Sequence, residues 1–405
     1  MIDYISKKNS QLNILLYYIV HILSGASLIV PITILYYLAF GLTYFEIGLL
    51  QSIFLFTSLF FEIPTGALAD KIGRKYATSI GVFIIALGTA IIGIGSSFFI
   101  FAIAQIFFGI GASLRSGADS ALIYDTLIES NQSGRYSKIE GKSFALFSIA
   151  GVIASPIGAH LFLFNHRWPF FFDGVFLLMA AAAYFFMREP RKGIEESQKK
   201  GYFLIIISGF KEIIKAPVIR WYLMLGIFLS LVAGIFSSLL SQPFLVERNV
   251  NIVFIGYIFS VVLLIQAIGS MFAHRIEAFL KENLTVFLVF FIPGIAFILM
   301  SYYTVVAVMI FFFITYYFNN GFQYPIIKDY FQRRIPSALR ATILSVQNFF
   351  ENLLGLIFIP IFGLLIDKLS VINGLFFLGI LTIGAGSLIY FFRPLKNFNK
   401  KSALS

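Results

Sequence analysis

The stretch FEIPTGALADKIGRKYA, from Phe61 to Ala77, lies between two long apolar runs. Gly66 and Gly73 suit close helix approach and a tight turn. Asp70 and Arg74 stand four residues apart, the spacing of an ion pair on one helix face. Lys71, Arg74 and Lys75 add positive charge. The segment therefore reads as a short, rigid, charged turn joining two apolar helices. A loop that needed only positive charge would explain the basic residues but not the placing of Gly66, Asp70 and Gly73.

Outward from this turn, the 405 residues are 59% hydrophobic and 12% charged, with mean hydropathy +0.90. Apolar runs long enough to cross the roughly 30 Å hydrocarbon core recur along nearly the whole chain. Backbone amides find no partner in lipid, so such runs must be helices. A β-barrel would need alternating strands of about ten residues, and that pattern is absent. Spans are expected at 12 to 38, 43 to 69, 76 to 96, 98 to 128, 142 to 164 and 168 to 188. A second set follows at 218 to 246, 251 to 275, 283 to 302, 304 to 330, 340 to 367 and 371 to 393. The first residues, MIDYISKKNS, carry no small-residue cleavage site and lead into a full-length span.

The charge of +11 is a matter of topology. With the amino terminus in the cytoplasm, 26 of the 30 basic residues fall on cytoplasmic segments and only Arg167, Arg248 and Lys368 on outer loops. By the positive-inside rule, both termini are expected in the cytoplasm. Basic residues distributed this way imply no nucleic-acid partner. Cysteine is absent, and His21, His160, His166 and His274 follow no metal-ligand spacing, so no metal or cofactor is expected. No nucleophile–base motif or phosphate-binding loop is present, so the chain is not expected to be an enzyme.

The longest polar interruption, MREPRKGIEESQKK at 187 to 200, divides the spans six and six. The expected organisation is a six-helix half over 1–188, a cytoplasmic central loop over 189–217, and a second half over 218–405. Within the loop, YFLIIISGFKEIIK (202 to 215) is too short and charged to span and reads as an interfacial helix. Gly151 and Pro156 in the fifth span recur as Gly355 and Pro360 in the eleventh, at the same spacing. That repetition favours a duplicated transporter whose substrate site sits near the bilayer midplane.

The 61–77 turn resembles the most specific signature of the major facilitator superfamily, Gly-x-Leu-Ala-Asp-x-x-Gly-Arg-Lys, matched here by Gly66, Leu68, Ala69, Asp70, Gly73, Arg74 and Lys75. RRIPSALRATILS at 333 to 345 looks like that family's connection before the eleventh helix. Phe61 to Thr65 and SGADSALIYD at 116 to 125 look like its bacterial branch of drug and metabolite exporters. The resemblance implies an all-α polytopic membrane protein of the MFS fold, with twelve transmembrane helices in two six-helix halves. It also implies a gating latch of Gly66, Asp70, Gly73 and Arg74 with an acid at the end of the fourth helix, here Asp125. Two motifs depart from the family pattern. Gln105 stands where the fourth helix normally has Arg, and the antiporter motif of the fifth is reduced to Ser155, Pro156, Ile157, Gly158 and Ala159.

Polar stripes mark four spans at helical spacing: Tyr17, His21 and Ser24; Gln105, Gly109, Ala112, Arg115 and Asp119; Ser230, Gly234, Ser237 and Ser241; Tyr316, Asn320 and Gln323. The corresponding helices line the substrate cavity in the family, which makes His21, Gln105, Ser237, Asn320 and Gln323 the candidate substrate contacts. Small and hydroxyl residues also serve plain helix packing. Four ionisable residues fall well inside spans, Glu62, Arg115, Asp119 and Glu351, and such groups point to function by their cost in hydrocarbon. Arg115 and Asp119 have ion-pair spacing. With one cation among three acids, Glu62 is the expected carrier of a coupling proton, Asp119 and Glu351 are its rivals, and Arg115 tunes it. Pro64 suits a local break beside Glu62, and Asp173 is expected at the outer interface.

The expected function is proton-coupled export of a small amphipathic drug or metabolite by alternating access, in a bacterial plasma membrane and as a monomer. Proton-coupled nutrient uptake and a non-transporting receptor or scaffold are the alternatives.

Overall fold

Each of the twelve stretches expected to span is helical in the computed structural model, which describes residues 2–190, 210, 213, 215–335 and 339–394. The segment at 202–215, expected as an interfacial helix, lies outside the described residues except for Phe210, Ile213 and Lys215. The first six spans comprise α1 (Ile2–Gly25) with α2 (Thr33–Ala39), α3 (Tyr44–Ile72), α4 (Arg74–Ile94), α5 (Phe98–Arg115) with α6 (Ala118–Glu129), α7 (Tyr136–Phe164) and α8 (Trp168–Phe186). The next three are α9 (Pro217–Ile235) continued through a π turn to α10 (Ser241–Glu247), then the two arms of α11 (Ile252–Tyr302). The last three are α12 (Val306–Gln332), α13 (Arg340–Leu369) and α14 (Val371–Phe391).

Among the described residues, nine helical segments are long and apolar enough to cross a membrane. The longest, Ile252–Tyr302, is itself two helices that meet at Lys281, where φ is 61°. Two further helices are more polar: α1 carries Asp3, Lys7 and Lys8, and α12 carries Asn319, Asn320, Gln323, Lys328 and Asp329.

Three spans are interrupted where a continuous helix was expected. The first opens over residues 26–32, just where Pro31 removes a backbone donor. The fourth breaks at Ser116 and Gly117, whose φ of 72° no helix allows. The seventh widens into a π turn at Phe236–Leu240. Pro64, in contrast, breaks nothing: α3 runs through it, and the adjacent Thr65 hydroxyl donates to the Phe61 carbonyl at 2.6 Å.

The chain forms two compact units. One holds the described residues among 1–42, 49–197 and 251–260, the other those among 43–48, 198–250 and 261–405. Tyr17, Val82, Leu122, Ile123 and Tyr184 are buried at the core of the first, and Trp221, Tyr222, Phe290, Phe322 and Tyr330 at the core of the second. Each unit repeats one close approach. In the first, a Cβ at Gly256 would come within 2.9 Å of the Pro156 Cα; in the second, one at Gly48 would come within 2.5 Å of the Pro360 Cα.

The opening in the first span is pinned from two sides at Leu28. Its amide, freed from the helix ladder, donates to Asp173 Oδ1 at 2.8 Å, and its carbonyl oxygen lies where Gly158 leaves room for it. Asp173, expected near the outer interface, is also buried within the first unit, 4% exposed, and it is held there by the amide it satisfies. Replacing Asp173 by Leu strands that amide, which costs roughly 1–3 kcal/mol. We expect a clear drop in the thermal unfolding midpoint of purified Asp173→Leu. Gly66→Ala, at an exposed helical position with open space around a new Cβ, should leave that midpoint unchanged or slightly raised.

Candidate functional site

The 61–77 turn is built on a helix stop. α3 ends at Ile72, Gly73 takes φ 98°, and α4 starts at Arg74. Asp70 and Arg74 therefore sit on different helices rather than on one helical face, correcting the four-residue reading. Gly66 likewise makes no close approach, because it lies on an exposed face of α3. Arg74 reaches instead to α6, pairing with the Asp125 carboxylate and donating to the Ala121 carbonyl at 3.0 Å. The residue that sequence reasoning missed is Glu189, just after α8. Its two carboxylate oxygens accept from the amides of Arg74 and Lys75, both at 2.8 Å. A carboxylate at a helix start satisfies orphan amides and faces the positive end of the helix dipole. Nearby, Asn13 donates to Thr126 Oγ1 at 3.0 Å and to the Arg188 carbonyl at 2.9 Å, tying α1, α6 and the segment after α8 together.

A second polar cluster surrounds the break in the fourth span. Arg115 ends α5 and Asp119 sits in the first turn of α6; they pair across Gly117, Nε to Oδ2 at 3.2 Å, with both side chains largely covered. The other Asp119 oxygen accepts from the Ser120 amide at 2.7 Å. Tyr17 on α1 donates to Glu140 Oε1 on α7 at 2.9 Å, and the His21 ring lies 4.3 Å from that of Tyr17. Glu140 was not foreseen, since it falls near the start of α7, outside the expected span. Gln105 donates to the Tyr37 hydroxyl at 3.1 Å. Glu62 is half-buried on α3.

In the second unit, faces of α9, α12 and α13 line a cavity of about 350 Å³. Asn320, Gln323, Tyr324 and Lys328 come from α12, and Gln347 and Glu351 from α13. Gln347 donates to Glu351 Oε1 at 2.7 Å, and Gln266 donates to Asn320 Oδ1 at 3.1 Å. Of the candidate substrate contacts in this unit, Asn320 and Gln323 line the cavity. Ser237 lies in the π turn, its hydroxyl bonded to the Gly234 carbonyl at 3.2 Å. Elsewhere in the unit, Glu282 binds Arg334 at 2.8 Å and Arg393 at 2.7 Å and accepts from the Tyr222 hydroxyl.

A bundle of membrane-length helices in two units, with charges held inside spans and a polar cavity, defines a multi-pass membrane transporter rather than an enzyme. The Major Facilitator Superfamily profile matches residues 14–359, and the chain belongs to that family. It is 25% identical over 221 residues to the quinolone resistance protein NorA of Staphylococcus aureus, covering 54% of this chain and 56% of that protein. It is 30% identical over 209 residues to multidrug resistance protein 1 of Bacillus subtilis, covering 51% of each. The chain thus spans about half the length of the curated relatives it matches. Its fold is similar to that of a bacterial homologue of the human lysosomal transporter Spinster, with TM-score 0.73, 16% identity and 96% of each chain covered. It is also similar to an auto-inhibited POT family peptide transporter, with TM-score 0.74, 11% identity, and 98% and 99% of the two chains covered.

The geometry around Arg74 leads to a prediction about two separate contacts. Glu189→Gln should lower stability by about 0.3–1 kcal/mol through the lost interaction with the start of α4. A double-mutant cycle of Arg74→Ala and Asp125→Ala should show coupling on the order of 1 kcal/mol. Thermal unfolding of the four purified proteins checks the cycle, and additive effects would deny the pair any energetic role.

Proposed function

We propose that the protein is a proton-coupled exporter of small amphipathic drugs or metabolites. It would work by alternating access as a monomer in a bacterial plasma membrane, with both termini cytoplasmic. The observation that carries this reading is the Arg115–Asp119 pair, closed across a left-handed glycine inside a membrane span. An ion pair at a break in a span is expensive to maintain and is the sort of element that two conformations can make and unmake. A carboxyl group that gains an arginine neighbour in one state and loses it in another changes its proton affinity between the two. That is the elementary requirement for coupling.

In this reading Glu62 carries the proton, with Asp119 and Glu351 as rivals, and Arg115 tunes it. Asp70, Arg74 and Asp125 form the latch that biases one state, with Gly73 making the turn and Gly66 on the exposed face of α3 that leads to it. Export of drug-like compounds is supported by the similarity to a quinolone resistance protein and a multidrug resistance protein. The cytoplasmic assignment of the termini rests on 26 basic residues against 3.

Two experiments test this. In proteoliposomes, Glu62→Gln should abolish substrate accumulation driven by a pH gradient while leaving counterflow measurable. Retained accumulation with unchanged pH dependence would make Glu62 structural, and an absence of counterflow in the parent protein would favour a receptor. Tags at either end should resist protease added from the outer face of intact cells; cleavage there would overturn the proposed orientation.

A further inference from the structure

At one end of the second unit, α9 and α14 pack together and leave a groove of about 430 Å³ between them. α9 starts at Pro217 and α14 ends at Phe391, so both helices reach the same face of the membrane there. Trp221 forms the floor. It is 5% exposed, and its indole Nε1 donates to the Ile389 carbonyl at 2.6 Å. Ile389 sits in the last turn of α14, where carbonyls lack partners in the helix ladder, and the bond therefore ties the two helices together. The Arg393 guanidinium lies 5.3 Å from the centre of the Trp221 ring and is itself held by Glu282 at 2.7 Å and Asn283 at 2.6 Å. The groove is thus a preformed feature and not a gap that one side-chain rotation would close.

Its walls are apolar: Met224, Leu388 and Phe392 line it and are 51%, 61% and 74% exposed. Arg220, exposed in the first turn of α9, lines it as well and gives it a charged rim. The dipoles of the two helices oppose each other here, since one begins where the other ends, so side chains set the sign of the surroundings. Over residues 211–220, which enter α9, and 391–405, which leave α14, seven residues are basic and one, Glu212, is acidic. Lys396, Lys400 and Lys401 follow Pro394 with no acid among them. That segment shares the sign of Arg220 and cannot serve as its counter-charge. A positive-inside bias accounts for this charge but not for a preformed apolar groove beneath it.

We propose that this groove binds one anionic phospholipid of the leaflet in which α9 starts, with the phosphodiester at Arg220 and an acyl chain along Trp221, Met224 and Leu388. A zwitterionic headgroup brings its own ammonium into positive surroundings, whereas an anionic one answers them. Acyl chains are as apolar as the walls, so the chain supplies the fit and the headgroup supplies the selectivity. The groove shares no lining residue with the polar cavity of the same unit, and its occupant does not depend on what the protein transports. In the orientation proposed above the leaflet is the cytoplasmic one, but occupancy is read in a bilayer without regard to orientation.

The chain has two tryptophans, Trp168 at the start of α8 and Trp221 on the groove floor. In full-length Trp168→Phe, Trp221 is the sole indole and reports what fills the groove. This protein is reconstituted in phosphatidylcholine vesicles that contain a small fraction of either phosphatidylglycerol or phosphatidylcholine brominated in the upper acyl chain, where bromine quenches indole fluorescence at short range. Brominated phosphatidylglycerol should quench Trp221 with an apparent affinity at least about fivefold that of brominated phosphatidylcholine, the preference that one basic residue near anionic lipid confers. Arg220→Gln should bring the two lipids within about twofold of each other. Arg220→Lys should keep most of the preference, and so should Lys215→Gln, which removes an exposed charge five residues earlier in the chain. Each preference is a ratio within one protein, so reconstitution yield does not enter it. Equal quenching by the two lipids before any charge is removed means ordinary solvation by the bilayer and overturns the proposal. It is overturned equally if the preference survives Arg220→Gln, or if Lys215→Gln lowers it as much, which is diffuse attraction to the surface. Quenching by neither lipid means that the chain itself covers the groove, and that too overturns it. A failure of counterflow in the same vesicles removes the transport reading and leaves this site standing.

Discussion

Lipid offers no hydrogen bonds, so every amide released from a helix and every charge placed within a span must be answered by the chain itself. This constraint accounts for the long helices, and it accounts equally for where they stop. Where the first span opens at Pro31, the freed Leu28 amide is taken by Asp173. Where α4 begins, two orphan amides are taken by Glu189. Where α3 begins, the amides of Tyr44 and Phe45 donate to the carboxylate of Asp367 at 2.8 and 2.9 Å. Three acids far apart in sequence thus do the same work: each supplies a helix terminus or a break with the acceptors that water would otherwise provide.

The two units solve a shared problem with opposite signs. After α8 the chain reads Arg188-Glu189-Pro190, and Glu189 returns to the start of the third span. After α14 it reads Phe392-Arg393-Pro394, and Arg393 returns to Glu282 and Asn283 at the start of the ninth. The station is repeated while its polarity is reversed, which requires that the partner change sign with it. The repeated prolines behave more conservatively. Pro156 and Pro360 each meet a glycine from another span, Gly256 in the first unit and Gly48 in the second. A proline needs no amide partner of its own, so another helix can approach it closely wherever that helix lacks a side chain.

What was legible in the residues follows the range over which each feature is encoded. Spans are local, because twenty apolar residues declare themselves without reference to anything else, and all twelve were read. The 61–77 motif is local too, and the partner that the resemblance it carries implies for Arg74, Asp125, does meet it from 51 residues away. The break at Gly117 was missed because one glycine in an apolar helix is ordinary in membranes, and only its φ of 72° marks it. Glu189 and Glu140 were missed because their partners lie more than a hundred residues away, at the start of α4 and on α1. Asp70 and Arg74 were misread as neighbours on one helix because sequence spacing cannot reveal that Gly73 ends that helix between them.

The same constraint sorts the acids by what is available to each. Asp173, Glu189 and Glu282 have their oxygens engaged by amides or arginines of this chain, so their charge is spent on holding structure together. Asp119 is engaged as well, by Arg115 and the Ser120 amide, but across a break at a left-handed glycine, Gly117. Glu351 differs from all of them. It lines a cavity and is bonded by a neutral carboxamide, which fixes its direction and leaves its charge uncompensated. A fixed charge without a counter-charge, in a membrane span, is stable only through something that enters from outside the chain, whether proton, water or ligand.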